Sequence, residues 1–171
     1  MQKFTKFLDK SLANILIFLM AFMVLVVTWQ VITRFILREP SSFTEELSRF
    51  LLIWIGLLGA SYALRTNAHL GIDLLSQKLE GFNKRVLIVL VNILVILFSF
   101  FIMVLGGFRL VQLTFTLNQI SASMGIKMGY VYLVLPLSGI LMIYYSLLSI
   151  VETLLTKAGG RIDRSYDKGL V

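Results

Sequence analysis

Long runs without a charged residue alternate with short charged segments along this chain. Residues 11–33 and 86–108 contain no Asp, Glu, Lys or Arg, and each run is long enough to cross the hydrocarbon core of a bilayer as a helix. Residues 128–151 form a third such run, and the shorter run between Arg49 and Arg65 can also cross if both arginines extend toward the membrane surfaces. The pattern therefore predicts four spans, at approximately residues 11–33, 47–65, 86–108 and 128–151.

The segment between the second and third spans has a different pattern. Its apolar residues fall close to one helical face, and its glutamine and charged residues fall elsewhere; the apolar set is Leu70, Leu74, Leu75, Leu79 and Phe82. This spacing is typical of a short amphipathic helix lying at the membrane interface. We therefore expect residues 1–171 to form a single all-α membrane domain with four transmembrane helices and this interfacial helix.

Composition supports a membrane location and limits the available chemistry. Hydrophobic residues make up 58% of the chain and charged residues 15%, compared with about a quarter charged in typical soluble domains. The chain has no cysteine and one histidine, so the sequence predicts no metal site, no thiol redox chemistry and no cofactor. The basic residues behind the net charge of +7 are scattered around apolar spans, which indicates anionic lipid headgroups as partners and not nucleic acid.

Two adjacent carboxylates open the second span. Pro40 and Ser41 predict a turn and a helix start, and Glu45, Glu46 and Arg49 follow. Arg49 can pair with either acid, because positions three and four residues apart share a helical face. The other acid would then face water, a lipid headgroup or another subunit. The alternative is an ordinary salt-bridged helix end.

The same span carries small residues at helical spacing. Gly56 and Ala60 form one pair and Gly59 and Ala63 form another, each pair separated by three residues. This spacing lets a second membrane helix approach closely. Trp54, about one turn inside the span, is interpreted either as an interfacial anchor or as a packed aromatic residue.

Polar or small faces are also predicted for the first and third spans. Seven-residue spacing joins Asn14, Ala21 and Thr28 in the first span, and Asn92, Ser99 and Gly106 in the third. An asparagine within lipid requires an interhelical hydrogen-bond partner. We therefore expect other helices to pack at both faces and Asn92 to bond one of them.

The fourth span contains Pro136 and Gly139. Proline lacks a backbone N–H, so Pro136 removes one helical hydrogen bond. If the helix begins near Tyr130, the sequence predicts a bend at this position.

His69 and Asp73 lie four residues apart in the connector between the second and third spans. They can hydrogen-bond across one helical turn if the interfacial helix begins early enough. A catalytic or metal-binding pair would lack a third member, so we interpret these two residues as structural.

Orientation follows from the distribution of Lys and Arg. With four spans, eleven of the 16 basic residues fall on the side that holds both termini and the middle connector. Because basic residues are retained in the cytoplasm, both termini are predicted to be cytoplasmic. The Glu45, Glu46 and Arg49 cluster then lies toward the external face.

Several classes of function are excluded because the spans lack the residues that these functions need. Transporters and pumps usually carry an ionisable residue deep in a span, whereas every Asp and Glu here lies outside the charge-free runs. An intramembrane hydrolase needs a catalytic pair within the membrane, and the single histidine lies in a connector. The sequence therefore indicates a non-enzymatic membrane subunit that acts by packing against another protein. A free-standing four-helix homo-oligomeric channel or regulator is the alternative.

The stretch TEELSRFLLIWIGLLGASYALRTNAHLGIDLL resembles the small membrane subunit of tripartite ATP-independent periplasmic (TRAP) transporters, the DctQ-like family. The paired glutamates, the following arginine, the Trp-x-x-x-Leu-Gly-Ala run and the Ala-His-x-x-x-Asp segment carry the similarity. The later YLVLPLSGILM is similar to the fourth span of that family.

The resemblance implies a scaffold subunit in a bacterial inner membrane. Its partners would be a large multi-span subunit, on a separate chain, that holds the substrate and sodium sites, and a periplasmic binding protein that delivers an organic acid such as sialic acid or a C4-dicarboxylate. Residues expected at the partner interface or in structural roles are Glu45, Glu46, Arg49, Trp54, Gly56, Gly59, Ala60, Ala63, His69, Asp73, Asn92, Pro136 and Gly139.

Overall fold

The computed structural model describes residues 2–36, 41–66 and 82–155. Within these residues the chain forms α1 (Gln2–Phe35), α2 (Ser42–Arg65), α3 (Phe82–Phe98), a π-helical segment (Ser99–Gly106), α4 (Gly107–Thr116), α5 (Met128–Tyr132) and α6 (Val134–Leu155). The segment from α3 to α4 is one continuous helical rod, which we call the third span.

Four helical segments of the described residues are long and apolar enough to cross a membrane: Thr5–Phe35, Ser42–Arg65, Arg85–Thr116 and Met128–Leu155. This confirms the predicted all-α fold with four membrane-spanning helices. The third span continues past Phe108 to Thr116, because LVQLTFTL maintains the helix beyond the apolar run. The predicted interfacial helix, with His69 and Asp73, lies outside the described residues.

Helix α2 begins at the position predicted from the sequence. Ser41 has extended backbone geometry, and its Oγ accepts a hydrogen bond from the Thr44 backbone N–H at 3.4 Å. This serine therefore satisfies one of the free N–H groups of the first turn. Glu45 lies in that same turn, where a negative charge complements the helix dipole.

Helix α2 packs between α1 and α6, and α6 in turn packs against the third span. The buried core joins α1, α2 and α6 through Leu12, Leu58, Val134 and Tyr145. Trp54 packs against this core and donates from Nε1 to the Val131 carbonyl oxygen at 3.2 Å. Of the two interpretations of Trp54, the packed aromatic residue is the one observed.

Helix α6 approaches the third span closely at Gly139. A Cβ atom added there would lie 2.8 Å from the Cβ of Met103 and 3.3 Å from the Ser99 carbonyl oxygen. Closer to the end of the bundle where α1 begins and α6 ends, Asn92 donates from Nδ2 to the Ser149 hydroxyl of α6 at 3.3 Å. The sequence expectation of an interhelical partner for Asn92 therefore matches the observed contact.

The π-helical segment shifts the buried face of the third span by one residue. Ser99 is buried as expected, but Gly106 is exposed and Gly107 is buried in its place, facing Pro136. The expectation for Gly106 is therefore wrong. A π-helix bonds residue i to i+5 and takes more residues per turn than an α-helix, so the seven-residue repeat fails across it.

The seven-residue repeat of α1 is present with a different phase. Asn14, Ala21 and Thr28, which form the predicted packing face, are exposed, so no described helix of this chain packs against them. The residues that face the other helices also recur every seven positions: Thr5, Leu12, Leu19, Val26 and Thr33, of which only Leu19 is not fully buried. Large apolar side chains in this stripe give better packing than an asparagine, which explains the choice of face.

The fourth span is interrupted at Leu133, between α5 and α6. Pro136 lies one turn later and has no backbone N–H to donate to Tyr132, so one helical hydrogen bond is missing there. Leu133 keeps helical backbone geometry and donates to the Gly129 carbonyl oxygen at 3.2 Å, and Leu137 donates to the Leu133 carbonyl oxygen at 3.3 Å. The disturbance by Pro136 is therefore local, and the helical path continues from Met128 to Leu155.

Candidate functional site: an anchored loop and the outward face of α2

Glu45 and Arg49 form an ion pair one helical turn apart on α2. Both side chains are largely exposed, with 52% and 68% of their surfaces accessible. An ion pair of this kind on an exposed helix contributes less than about 1 kcal/mol to stability. The pair therefore marks the surface at this end of the bundle and contributes little to holding the helices together.

Glu46 has a different partner, the loop between α4 and α5. Its Oε2 accepts the backbone N–H of Ser123 at 2.8 Å and that of Met124 at 3.3 Å. Hydrogen bonds to a carboxylate are about twice as strong as those between neutral groups. Glu46 therefore fixes the loop to the start of α2, a partner that sequence reasoning did not consider.

The loop itself has a defined conformation. Asn118 adopts φ 52° and Gly125 φ 67°, values that asparagine tolerates and that favour glycine. Ser121 donates its backbone N–H to the Ile126 carbonyl oxygen at 2.8 Å, and Met128 donates to Gln119 at 3.0 Å. These bonds close the loop on itself, so Glu46 holds a preformed turn.

The opposite end of the bundle is held by Arg65. Its Nε lies 3.2 Å from Asp9 Oδ2 on α1, and its Nη1 lies 3.6 Å from Glu152 Oε1 on α6. The Arg65 and Asp9 side chains are 29% and 26% exposed, much less than the Glu45–Arg49 pair. One arginine thus joins three helices. Sequence reasoning missed it because its partners lie far away along the chain.

A hydrogen bond supports the same junction, since Thr5 Oγ1 lies 2.9 Å from the Tyr144 hydroxyl. It connects α1 to α6 near the Asp9–Arg65 pair. Together these contacts place the start of α1 and the ends of α2 and α6 at one end of the bundle.

The outward face of α2 is the stripe formed by Glu45, Arg49, Leu52 and Gly56, spaced four, three and four residues apart and all exposed. Gly59, Ala60 and Ala63 lie beyond it and are half-buried. A Cβ added to Gly56 or Gly59 would meet nothing within 4 Å. No helix of the described chain therefore uses the close approach that these glycines permit.

The described residues contain no group of three His, Cys, Asp or Glu side chains that could hold a metal ion. Their carboxylates, Asp9, Glu45, Glu46 and Glu152, lie near the ends of the helices. The polar contacts described above therefore join helices to one another and fix the loop between α4 and α5.

Comparison with known proteins identifies the family. The family described as "Tripartite ATP-independent periplasmic transporters, DctQ component" matches residues 23–156. The sialic acid TRAP transporter small permease protein SiaQ of Vibrio cholerae is 32% identical over 75% of this chain and 73% of its own length.

Two further relatives match over smaller shares. The C4-dicarboxylate TRAP transporter small permease protein DctQ of Rhodobacter capsulatus is 31% identical over 60% of this chain and 44% of its own length. The sialic acid TRAP transporter permease protein SiaT of Haemophilus influenzae is 30% identical over 67% of this chain but 18% of its own length.

The family match covers most of the chain, from within α1 to the end of α6. The four apolar helices and this match together indicate a multi-pass protein of the inner membrane. The family is one of transporter subunits and not of enzymes. The chain belongs to the DctQ component family of tripartite ATP-independent periplasmic transporters.

Proposed function

We propose that this chain is the scaffold subunit of a sodium-coupled transporter for organic acids that receives its substrate from a periplasmic binding protein. It acts by packing against a large multi-span permease subunit, which holds the substrate and sodium sites. Sialic acid is the favoured substrate and a C4-dicarboxylate the second candidate, since the relative named for sialic acid matches 75% of this chain and the relative named for C4-dicarboxylates matches 60%.

The outward face of α2 carries this proposal. Small residues in membrane helices let a second backbone approach closely, and this device is left unused by the described helices around Gly56 and Gly59. The exposed Glu45–Arg49 pair at the end of the same face offers charged groups to a partner. We therefore assign this face to the contact with the large permease.

The comparison with SiaT supports a partner of this kind. That protein is much longer than this chain, which matches only 18% of its length. A segment similar to this chain is thus part of a larger permease in that relative. The same two parts, joined by noncovalent packing, would form the proposed complex.

The proposal is tested by adding bulk to the outward face. Gly56→Leu should fold as the wild type, because an added side chain meets nothing within 4 Å. It should reduce the amount of large permease recovered with a tagged chain by at least about tenfold, as expected for overpacking a close helix contact by about 1.4 kcal/mol or more. Uptake of sialic acid by cells should fall in parallel.

Gly106→Leu is the matched control, because Gly106 is an exposed glycine on the third span. It receives the same change and should leave recovery and uptake at wild-type levels. Equal recovery for Gly56→Leu and the wild type would overturn the assignment of this face. Recovery of a homo-oligomer and no large permease would favour a free-standing channel or regulator.

We further propose that both termini are cytoplasmic, which places the loop held by Glu46 on the periplasmic side. The excess of Lys and Arg at the terminal side supports this orientation. A reporter enzyme that is active only in the periplasm should give no signal when fused to the C-terminus. A strong signal from that fusion would contradict the orientation.

A further inference from the structure

A groove lies between the third span and α6 at the end of the bundle that holds the termini. Its floor consists of Val86, Val89, Leu90 and Ile93, which follow one face of α3. Its volume is about 310 Å³, and it is partly open to the surroundings. Arg85 lines the groove at the first residue of the apolar segment Arg85–Thr116, the position expected at a membrane surface.

The groove follows α3 along the face that carries its apolar lining. From Arg85 to Ile93 the helix rises about 12 Å, at about 1.5 Å per residue. A hydrocarbon chain can lie along an apolar channel of this length, with its end group beside Arg85.

The charge distribution along the groove favours an occupant with an anionic group at one end. Except for Arg85 and Thr153, the lining is apolar. Arg85 is exposed, and its guanidinium forms no ion pair with another described residue. Glu152, beside Thr153 on α6, is directed to Arg65. Among the described residues, the groove therefore offers a cation without an ion-pair partner and an apolar channel that runs inward from it.

We propose that this groove binds one anionic phospholipid from the membrane leaflet on the side of the chain termini. Its phosphate contacts the Arg85 guanidinium, and one acyl chain lies along Val86, Val89 and Ile93. Anionic headgroups are attracted to basic side chains at the membrane surface, and the long arginine side chain can reach the headgroup region. The lipid occupies the groove between the third span and α6. This groove lies at the end of the bundle where Arg65 joins α1, α2 and α6.

The experiment measures lipid binding to the purified full-length chain by native mass spectrometry. Phosphatidylglycerol is compared with phosphatidylcholine carrying the same acyl chains. The wild type should bind phosphatidylglycerol about fivefold more tightly, the effect expected of one basic residue at a membrane surface. Arg85→Gln should remove this preference, and Val89→Trp, which fills the groove, should reduce the binding of both lipids.

Arg109→Gln is the control, because Arg109 is an exposed arginine of the same span that lies outside the groove. It should leave the preference for phosphatidylglycerol unchanged. The proposal is overturned if Arg85→Gln binds phosphatidylglycerol as the wild type does. This variant changes only an exposed side chain, so the result does not depend on whether Val89→Trp folds.

The measurement is repeated on the chain purified with its large permease. If the wild-type complex retains phosphatidylglycerol and the Arg85→Gln complex retains less, the site is present in the assembled transporter. Equal retention by the wild-type and Arg85→Gln complexes would overturn the site in the assembled transporter.

Discussion

The two faces of α2 differ in where their contacts lie. The inward face carries Leu58 and Ser61, which are 2% and 0% exposed, and ends at Arg65 with its partners on two other helices. The outward face carries Leu52, which is 58% exposed, and Gly56, where an added Cβ would meet nothing within 4 Å. Both faces combine apolar residues with polar or charged ones, so hydrophobicity alone does not distinguish them.

Polar groups distinguish the two faces. On the inward face, Ser61 donates its hydroxyl to the Ser138 carbonyl oxygen of α6 at 3.2 Å, and Trp54 donates to Val131. On the outward face, the Glu45–Arg49 pair stays within one helix. In a membrane, where lipid is as apolar as leucine, such long-range polar contacts and close packing choose the buried face.

The largest difference between the faces is expected for leucine truncation. Leu58→Ala should destabilise the chain by about 3 kcal/mol, because it leaves a cavity among α1, α2 and α6. Leu52→Ala, the matched outward change, should cost less than about 0.5 kcal/mol. Denaturant titration in detergent micelles, followed by circular dichroism, measures both. Equal losses would show that the outward face is also packed within the chain.

Arg65→Ala should have the next largest effect, about 2 kcal/mol. This value lies between the costs of breaking a buried and an exposed ion pair, since the Arg65 and Asp9 side chains are about three-quarters buried. The start of α1 should become more accessible to protease near Lys6 and Lys10. Arg65→Lys keeps one charge but cannot reach both acids in the same geometry, so it should recover only part of the loss. Full stability of Arg65→Ala would contradict the role of this junction.

Glu46→Ala should cost about 1–2 kcal/mol and loosen the loop between α4 and α5, because two backbone N–H groups lose a charged acceptor. Hydrogen exchange at Ser123 and Met124 should increase. Glu45→Ala is the control on the outward side and should leave exchange in the loop unchanged. If both variants protect the loop equally, Glu46 is not its anchor.

Arg49→Ala should have the smallest effect on the fold, under about 0.5 kcal/mol, because its pair with Glu45 is exposed. If the outward face meets the large permease, the same variant should nevertheless lower the recovery of the complex. Stability and recovery are measured on one preparation. A loss of both together would indicate that Arg49 supports the chain itself.

Much of the fold could be read from local sequence patterns. Charge-free runs identified the four spans, Ser41 marked the start of α2, and the proline in the fourth span marked its interruption. These features depend on residues within one helix and its ends. Asn92 was also informative, because its amide donates to the Ile88 carbonyl oxygen of its own helix at 2.8 Å and also to Ser149 of α6 at 3.3 Å.

Features that depend on contacts between residues far apart in the chain could not be predicted from the sequence. The partner of Glu46 lies in a loop far along the chain, and Arg65 joins helices whose relative positions the sequence does not specify. The repeat of α1 had the expected period, but the phase depended on whether Leu12 or Asn14 met the other helices. The spacing of a repeat depends on the residues of one helix, whereas packing against other helices determines which residues of the repeat are buried.

The π-helical segment has a consequence for changes in chain length. It accommodates one residue more than an α-helix would need between Ser99 and Gly107. Deleting a single residue there would restore the seven-residue repeat and leave both ends of the third span on their present faces. A deletion in α4 would instead rotate the following residues by about 100° and remove Thr114 from its buried position. The third span therefore has one place where the chain can shorten and keep its contacts with α6.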